Sequence, residues 1–98
     1  MKFEIKGPSK ESVYNLMRKA GYHFQGKDEG NQEISFSRPP RGYPRFHIYL
    51  KQDGNNLIFN LHLDQKKPIY RGAPAHSGEY DGEVVEQETE RIKQILEK

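Results

Sequence analysis

The segment from position 45 to 64, RFHIYLKQDGNNLIFNLHLD, constrains the fold of this chain more than any other. Apolar and polar residues alternate on both sides of an Asp-Gly pair, as they do in two antiparallel strands joined by a tight turn. With Asp53 and Gly54 at the centre of the turn, the apolar pairs share one face: Leu50 with Leu57, Ile48 with Phe59 and Phe46 with Leu61. A slip of one residue would scramble that face, so the turn and the alternation predict the same hairpin.

The second face of this hairpin carries polar and ring-bearing side chains. In the predicted register Arg45 lies opposite His62, and His47 lies opposite Asn60. With the neighbouring strands included, the open face of the sheet is predicted to carry His23, Ser35, Ser37, Arg45, His47, Tyr49, Ile58, Asn60 and His62. The apolar face needs a cover from the rest of the chain.

Two amphipathic helices are predicted to provide that cover. The first begins after Ser9 as its N-cap and ends near Ala20, with apolar residues at spacings of three and four. The second follows Asp81, which can cap it. Its inward stripe consists of Val85, Thr89, Ile92, Ile95 and Leu96.

Alternating segments at 1–6, 22–25 and 32–38 predict three further strands, with a polar turn over 26–31. The element order is therefore β-α-β-β-β-β-α. This order predicts an α+β fold of two layers, in which both helices pack on one face of an antiparallel sheet. The 98 residues suffice for a single domain, 1–98, and are too few for two.

Composition excludes several functional classes. The chain has no cysteine, which rules out disulfides, thiolate nucleophiles and Cys-ligated zinc. Its net charge of +2 is not the strong basic footprint that a dedicated DNA-binding protein usually shows. No apolar run reaches the roughly 20 residues of a membrane span, and the N-terminus lacks the apolar core of a signal peptide. A cytoplasmic protein without a membrane partner is expected, and no nucleotide-binding motif predicts a cofactor.

The segment 65–82 is the longest irregular stretch, and its 18 residues, QKKPIYRGAPAHSGEYDG, show no clear periodicity. Structureless loops longer than about 12–15 residues are uncommon in compact domains and tend to be functional or disordered. Within this segment Ser77 follows His76, but neighbours in sequence rarely have the geometry of a catalytic triad. A turn is the better interpretation, with His76 as a lone general base the alternative.

Basic and aromatic residues cluster near one end of the hairpin. Because Arg45 and His62 are predicted neighbours, loops 38–45 and 64–82 leave the sheet at the same end. Arginine and lysine there can hold phosphates, and tyrosine can stack on an unpaired base. The cluster consists of Arg38, Arg41, Tyr43, Arg45, Lys66, Lys67, Tyr70 and Arg71. The alternative is an ordinary solvated rim whose tyrosines close the core.

A second candidate site combines His62, Asp64 and His76. The first two residues are two positions apart on a strand and therefore point to the same face. His76 could return from the long loop to complete a metal site of two histidines and one carboxylate, with Glu79 or His47 as further ligands. The spacing is equally compatible with Asp64 bonding to loop amides and with His62 as a solvated residue of the sheet.

Two resemblances bear on these expectations. GYHFQGK, GYPRFH, HLDQKKP and HSGEYDG, followed by a Glu-rich helix, resemble small bacterial proteins without an assigned function, which implies a stand-alone soluble domain of bacterial type. LMRKAGY at positions 16–22, together with the His-Ser-Gly before the last helix, resembles the HicA toxin family, small ribonucleases with a double-stranded-RNA-binding fold. That family's catalytic histidine lies on the strand after the first turn, where this chain has Gln32 and Glu33.

The sequence thus predicts a small binding or accessory domain rather than an enzyme. Its predicted ligand is RNA or another phosphate-bearing molecule. The residues predicted to bind it are Arg41, Arg45, His62, Asp64, Lys66, Lys67, Tyr70, Arg71, His76 and Glu79. Two alternatives remain open. One is a metal-dependent or histidine-based hydrolase or ribonuclease, and the other is a structural homodimer or accessory subunit that associates through the open sheet face.

Overall fold

The computed structural model describes residues 1–6, 11–65, 78–79 and 82–97, and of residues 78 and 79 only the backbone. The described elements are, in chain order, strand β1 (Lys2–Lys6), helix α1 (Val13–Lys19), strands β2 (His23–Asp28), β3 (Glu33–Arg38), β4 (Arg45–Asp53), β5 (Asn56–Asp64) and β6 (Gly78–Glu79), and helix α2 (Glu83–Leu96). One antiparallel sheet with two helices confirms the predicted α+β class. As far as the described residues show, neither helix has the length and apolarity to cross a membrane.

The sheet is built around β4 and β5. Its strand order is β1-β5-β4-β3-β2, and every neighbouring pair is antiparallel. Strand β1 pairs with the first half of β5. The short β6 pairs with the end of β5, where Gly78 lies opposite Asp64. The chain therefore comes back beside Asp64 when it re-enters the sheet.

The hairpin of β4 and β5 has the predicted faces but not the predicted register. Its two turn residues are Gly54 and Asn55, because Asp53 already pairs with Asn56. Gly54 has a φ of +62°, and glycine at the first turn position fits a type II′ turn. The predicted pairs are wrong by two residues: Leu50 faces Phe59, Ile48 faces Leu61, and His47 faces His62. A shift of two leaves every side chain on its predicted face, because the strand period is two.

The helix caps also differ from the prediction. Helix α1 is capped by Ser12, whose hydroxyl accepts a hydrogen bond from the amide of Asn15 at 3.2 Å. Both predicted caps, Ser9 and Asp81, lie outside the described residues. Gly82 holds the cap position of α2, without a side-chain hydrogen bond.

Strand β2 is longer than predicted. It continues to Asp28 with a register shift after Phe24, so the first part of the predicted turn 26–31 is strand. Phe24 alternates with His23, which was predicted on the open face, and was therefore expected on the core face; it is 53% exposed although its ring contacts that of Tyr14. In the described part of the chain β2 is an edge strand that pairs only with β3, which leaves Phe24 with strand neighbours on one side.

Buried side chains from both helices and from one face of the sheet form a single core cluster. The helices contribute Leu16 and Met17 from α1 and Val85, Ile92 and Leu96 from α2. The strands contribute Phe3, Ile5, Phe36, Ile48, Leu50, Leu57, Phe59 and Leu61. Burial of each such side chain contributes about 1.5–3 kcal/mol, which fixes the core face of the sheet and leaves the second face to polar residues.

A buried ion-pair network joins α2 to α1 and the sheet. The Glu88 carboxylate, 4% exposed, accepts hydrogen bonds from the Tyr22 hydroxyl at 2.6 Å and from Arg91 at 2.8 and 2.9 Å. Arg38 donates to the same carboxylate at 3.0 and 3.2 Å. Arg91 also donates to the carbonyl of Ala20, which closes α1. Arg38, the first residue of the predicted basic cluster, therefore binds α2 to the sheet.

Candidate metal centre

Strands β4 and β5 place two histidines and an aspartate side by side on the sheet face opposite the core. In the observed register His47 lies opposite His62, and Arg45 lies opposite Asp64. His62 and Asp64 share a face because they are two positions apart, and the pairing brings His47 to the same face. The three side chains therefore project from adjacent positions of one two-stranded ladder. We call these three residues the His-His-Asp cluster.

The donor atoms of the cluster converge. Asp64 Oδ1 lies 3.0 Å from His62 Nε2, and Asp64 Oδ2 lies 3.6 Å from His47 Nδ1. The two imidazole centroids are 4.9 Å apart. One ligand atom from each residue lies within 4.8 Å of the other two, and within the described part of the chain no second group of His, Asp and Glu side chains does so.

Both imidazoles are largely shielded from water although they lie opposite the core. His47 is 9% and His62 is 7% exposed, and the ring of Tyr49 lies 4.5 Å and 5.9 Å from their rings. Burial, with a smaller contribution from the neighbouring imidazole, lowers the pKa of His47 to about 4. Burial also lowers the pKa of His62, although nearby Asp64 opposes the shift. Both rings are therefore uncharged near neutral pH, and each has a lone pair on one nitrogen.

Ser35, on β3, contacts the second nitrogen of His47. Its Oγ lies within hydrogen-bond distance of Nε2, while Nδ1 of the same ring faces Asp64. An imidazole that binds a metal through Nδ1 keeps its proton on Nε2, and Ser35 Oγ is placed to accept that hydrogen bond. Outer contacts of this kind fix the tautomer and orientation of a metal-binding histidine.

The contacts from Ser35 to one nitrogen of His47, and from the other nitrogen to Asp64, also match those of a hydrolytic Ser-His-Asp triad. A nucleophilic serine, however, sits on a sharp exposed turn with backbone amides arranged around it. Ser35 lies inside β3 and is paired on both sides, with Gly26 on β2 and Tyr49 on β4. The position of this serine therefore favours an orienting contact to His47 over nucleophilic catalysis.

Arg45 completes the surroundings of Asp64. Its Nε lies 3.4 Å from Asp64 Oδ2, and its Cζ lies 4.9 Å from the ring centroid of Tyr43. The carboxylate and the aromatic ring together hold the guanidinium beside the His-His-Asp cluster. The side chains of Arg45 and Asp64 are each 22% exposed, so the cluster is more accessible to solvent on this side than at the two imidazoles.

Two imidazoles and a carboxylate are a ligand set for a divalent transition-metal ion. Imidazole suits zinc, iron, nickel and copper, whereas magnesium and calcium prefer oxygen ligands. Tetrahedral zinc with bonds of about 2.0–2.1 Å places neighbouring ligand atoms about 3.3–3.4 Å apart. Each Asp64 oxygen lies near one imidazole nitrogen at a comparable distance, Oδ1 3.0 Å from His62 Nε2 and Oδ2 3.6 Å from His47 Nδ1. All three ligand atoms lie within 4.8 Å of one another, so a tetrahedral ion requires their largest separation to shorten.

The structure brings together part of the site predicted from the sequence. His62, Asp64 and Arg45 lie side by side with His47, which was predicted only as a further ligand. Arg41 is exposed in the loop between β3 and β4. The other predicted residues lie outside the described side chains: Lys66, Lys67, Tyr70, Arg71, His76 and Glu79.

The roles of His47 and Ser35 in the site were not predicted from the sequence in full. The place of His47 depends on the register, because with Gly54 and Asn55 as the turn it faces His62 instead of an asparagine. Ser35 was predicted on the same face, but its contact with His47 depends on the pairing of β3 with β4.

Comparison with known proteins does not assign this site. Neither models of protein families, nor curated proteins, nor solved structures gave a match to the chain. Function therefore has to be inferred from the chemistry of the site itself.

Proposed function

We propose that this domain binds a divalent transition-metal ion through His47 Nδ1, His62 Nε2 and the carboxylate of Asp64. The observation that supports this most is the convergence of the three donor groups within 4.8 Å on one hairpin. The hairpin lies at the centre of the sheet, and its strands are fixed by buried side chains on the opposite face. Such a site loses little conformational entropy on binding, because its ligands are already held in place.

The ligand set also limits which ions fit. Two nitrogen donors and one carboxylate favour zinc, cobalt, nickel or iron over magnesium and calcium. Structural zinc sites usually have four protein ligands, whereas catalytic sites use three and leave a position for water or substrate. Three ligands from this chain would leave at least one such position, on the more exposed side beside Arg45. The proposal departs from the expectation that the protein has no cofactor.

A titration with Co²⁺, followed by visible absorption, tests the proposal. Wild type is expected to bind one ion per chain, and Zn²⁺ is expected to displace it. His47→Gln and Asp64→Asn are expected to weaken binding by more than the roughly 10–100-fold that loss of an outer-shell partner costs. His23→Gln is the matched control, because His23 is an exposed histidine on β2, the far edge strand of the same sheet. No uptake by wild type, or equal losses in all three variants, would contradict a site at the cluster.

The predicted contact with RNA remains a prediction. Of its basic residues, Arg45 engages Asp64, and Lys66, Lys67 and Arg71 lie outside the described residues. Association of two copies through the open sheet face likewise remains a prediction. The buried histidines on that face favour the metal centre, because close-packed imidazoles around a carboxylate are not needed for a solvated dimer surface.

A further inference from the structure

We infer that the metal centre takes a phosphate group as its exchangeable ligand, bridged between the metal ion and the guanidinium of Arg45. This inference rests on the proposed metal centre and names the class of ligand that its open position would accept. Arg45 is not one of the proposed metal ligands, yet it lies against the carboxylate that is one, with Nε 3.4 Å from Asp64 Oδ2.

The guanidinium of Arg45 is held in one orientation, and some of its N–H donors form no hydrogen bond with a described residue. Arginine has five N–H donors, and here Nε points to Asp64 while Cζ lies over the ring of Tyr43, 4.9 Å from its centroid. Within the described part of the chain the terminal nitrogens of Arg45 donate no hydrogen bond. An arginine held in this way by an aromatic ring and a carboxylate presents donors to a ligand with little further loss of rotamer freedom.

Charge favours an anion at this place. A divalent ion bound by one carboxylate and two neutral imidazoles keeps positive charge, and the Arg45 guanidinium adds more beside it. A phosphate group carries about −1.5 to −2 charges at pH 7 and has three acceptor oxygens. It can therefore give one oxygen to the metal and another to the arginine fork, which a singly charged carboxylate matches less well.

Arg38, in contrast, does not contribute to this ligand site. Its guanidinium binds Glu88 on the other side of the sheet, at 3.0 and 3.2 Å. Arg41 is exposed in the same loop as Tyr43 and forms no ion pair with a described residue. The pairing of Arg45 with Asp64 therefore singles out one arginine, and Arg41 serves as its matched control.

The test is a titration of the Co²⁺-loaded protein with inorganic phosphate, and separately with acetate, followed through the visible spectrum of the ion. In wild type and in Arg41→Gln, phosphate is expected to change the spectrum at lower concentration than acetate. In Arg45→Gln, Co²⁺ uptake is expected to persist while phosphate affinity falls about 10–100-fold, the range for loss of a charge-assisted hydrogen bond. Arg45→Lys keeps the charge without the fork and is expected to fall between wild type and Arg45→Gln.

Several outcomes would overturn the inference while leaving the metal centre intact. These are Co²⁺ uptake without any effect of phosphate, equal phosphate affinity in Arg45→Gln and wild type, and acetate binding as tightly as phosphate. Failure of wild type to take up Co²⁺ would instead refute the metal centre, and the phosphate inference with it. The two failures are distinguished by the first step of the titration, before any anion is added.

Discussion

Ser35 is the residue whose replacement best separates a metal centre from a plain hydrogen-bonded cluster. Its hydroxyl contacts His47 Nε2, the nitrogen that points away from Asp64. If the ring binds a metal through Nδ1, Ser35→Ala removes the acceptor for the Nε2 proton. We expect metal affinity to fall about 10–100-fold, as is typical for outer-shell partners of a metal-binding histidine.

Ser35→Thr is the conservative control for this measurement of metal affinity. Ser35→Thr keeps the hydroxyl and suits a β-strand, so Co²⁺ affinity is expected to stay near that of wild type. Equal metal affinity in wild type, Ser35→Ala and Ser35→Thr would show that the hydroxyl does not orient a metal ligand.

Glu88 should make the stability of the fold dependent on pH. Burial alone would raise the pKa of its carboxyl, but hydrogen bonds from Arg91, Tyr22 and Arg38 outweigh burial and lower it below 4.5. Because the folded pKa lies below the unfolded one, this carboxylate stabilises the fold above about pH 4.5, and the contribution is lost as the pH falls through the folded pKa.

Urea unfolding of Glu88→Gln tests that expectation. At pH 7 we expect a loss of about 2 kcal/mol, less than the 3–5 kcal/mol of a fully buried pair, because both arginines are more than a third exposed. The difference from wild type should shrink as the pH falls below about 4.5. A difference that is the same at pH 3 and pH 7 would show that packing, not the charge, is responsible.

The β4-β5 hairpin shows how much of an element can be read from its sequence. Alternation was enough to assign every residue of the hairpin to its face, because face depends only on the period of two. It could not choose between Asp-Gly and Gly-Asn as the turn, since both are accepted hairpin loops. The choice moves the register by two residues, and with it the partner of His47 changes from Asn60 to His62. The face of each hairpin residue was therefore predictable from the sequence, whereas the pairing of His47 with His62 was not.

Other parts of the structure depend on contacts that local patterns do not encode. The burial of Glu88 follows from the approach of Arg38 and Tyr22, which are distant in sequence. In the sequence nothing distinguishes Glu88 from the other glutamates of the last helix. The length of β2 likewise depends on pairing with β3 rather than on its own polar sequence.

The turn between β4 and β5 requires a glycine at its first position. Gly54 has a φ of +62°, where a side chain costs roughly 1–2 kcal/mol, so Gly54→Ala should destabilise the domain by about 1 kcal/mol in urea unfolding. Gly26→Ala is the matched control, because its added Cβ meets no atom within 4 Å and its φ is not in the left-handed region. Metal affinity of the folded protein should be unchanged in both variants. Equal stability of the two would contradict the assignment of Gly54 to the turn.

At the scale of the whole molecule, the metal centre lies where it can stabilise the entire fold. Its three ligands are on β4 and β5, which pair with each other and with both flanking strands of the sheet. Unfolding of the sheet would separate them, so an ion that binds only the native state adds to the free energy of unfolding. At a hundredfold excess of free Zn²⁺ over its Kd we expect about 2.7 kcal/mol, measured as a rise in the unfolding midpoint that EDTA abolishes. His47→Gln should show a much smaller rise at the same Zn²⁺ concentration, because its Kd is higher, and an equal rise in that variant would mean that the ion binds elsewhere.

The most direct measurement of the metal centre is anomalous diffraction at the zinc absorption edge from crystals grown with Zn²⁺. The proposal predicts one strong peak between His47 Nδ1, His62 Nε2 and the Asp64 carboxylate, with bonds of about 2.0–2.2 Å. It also predicts a non-protein ligand on the side of Arg45. Crystals with zinc bound only elsewhere, or with the His-His-Asp cluster closed on itself by hydrogen bonds at the same Zn²⁺ concentration, would contradict the proposal.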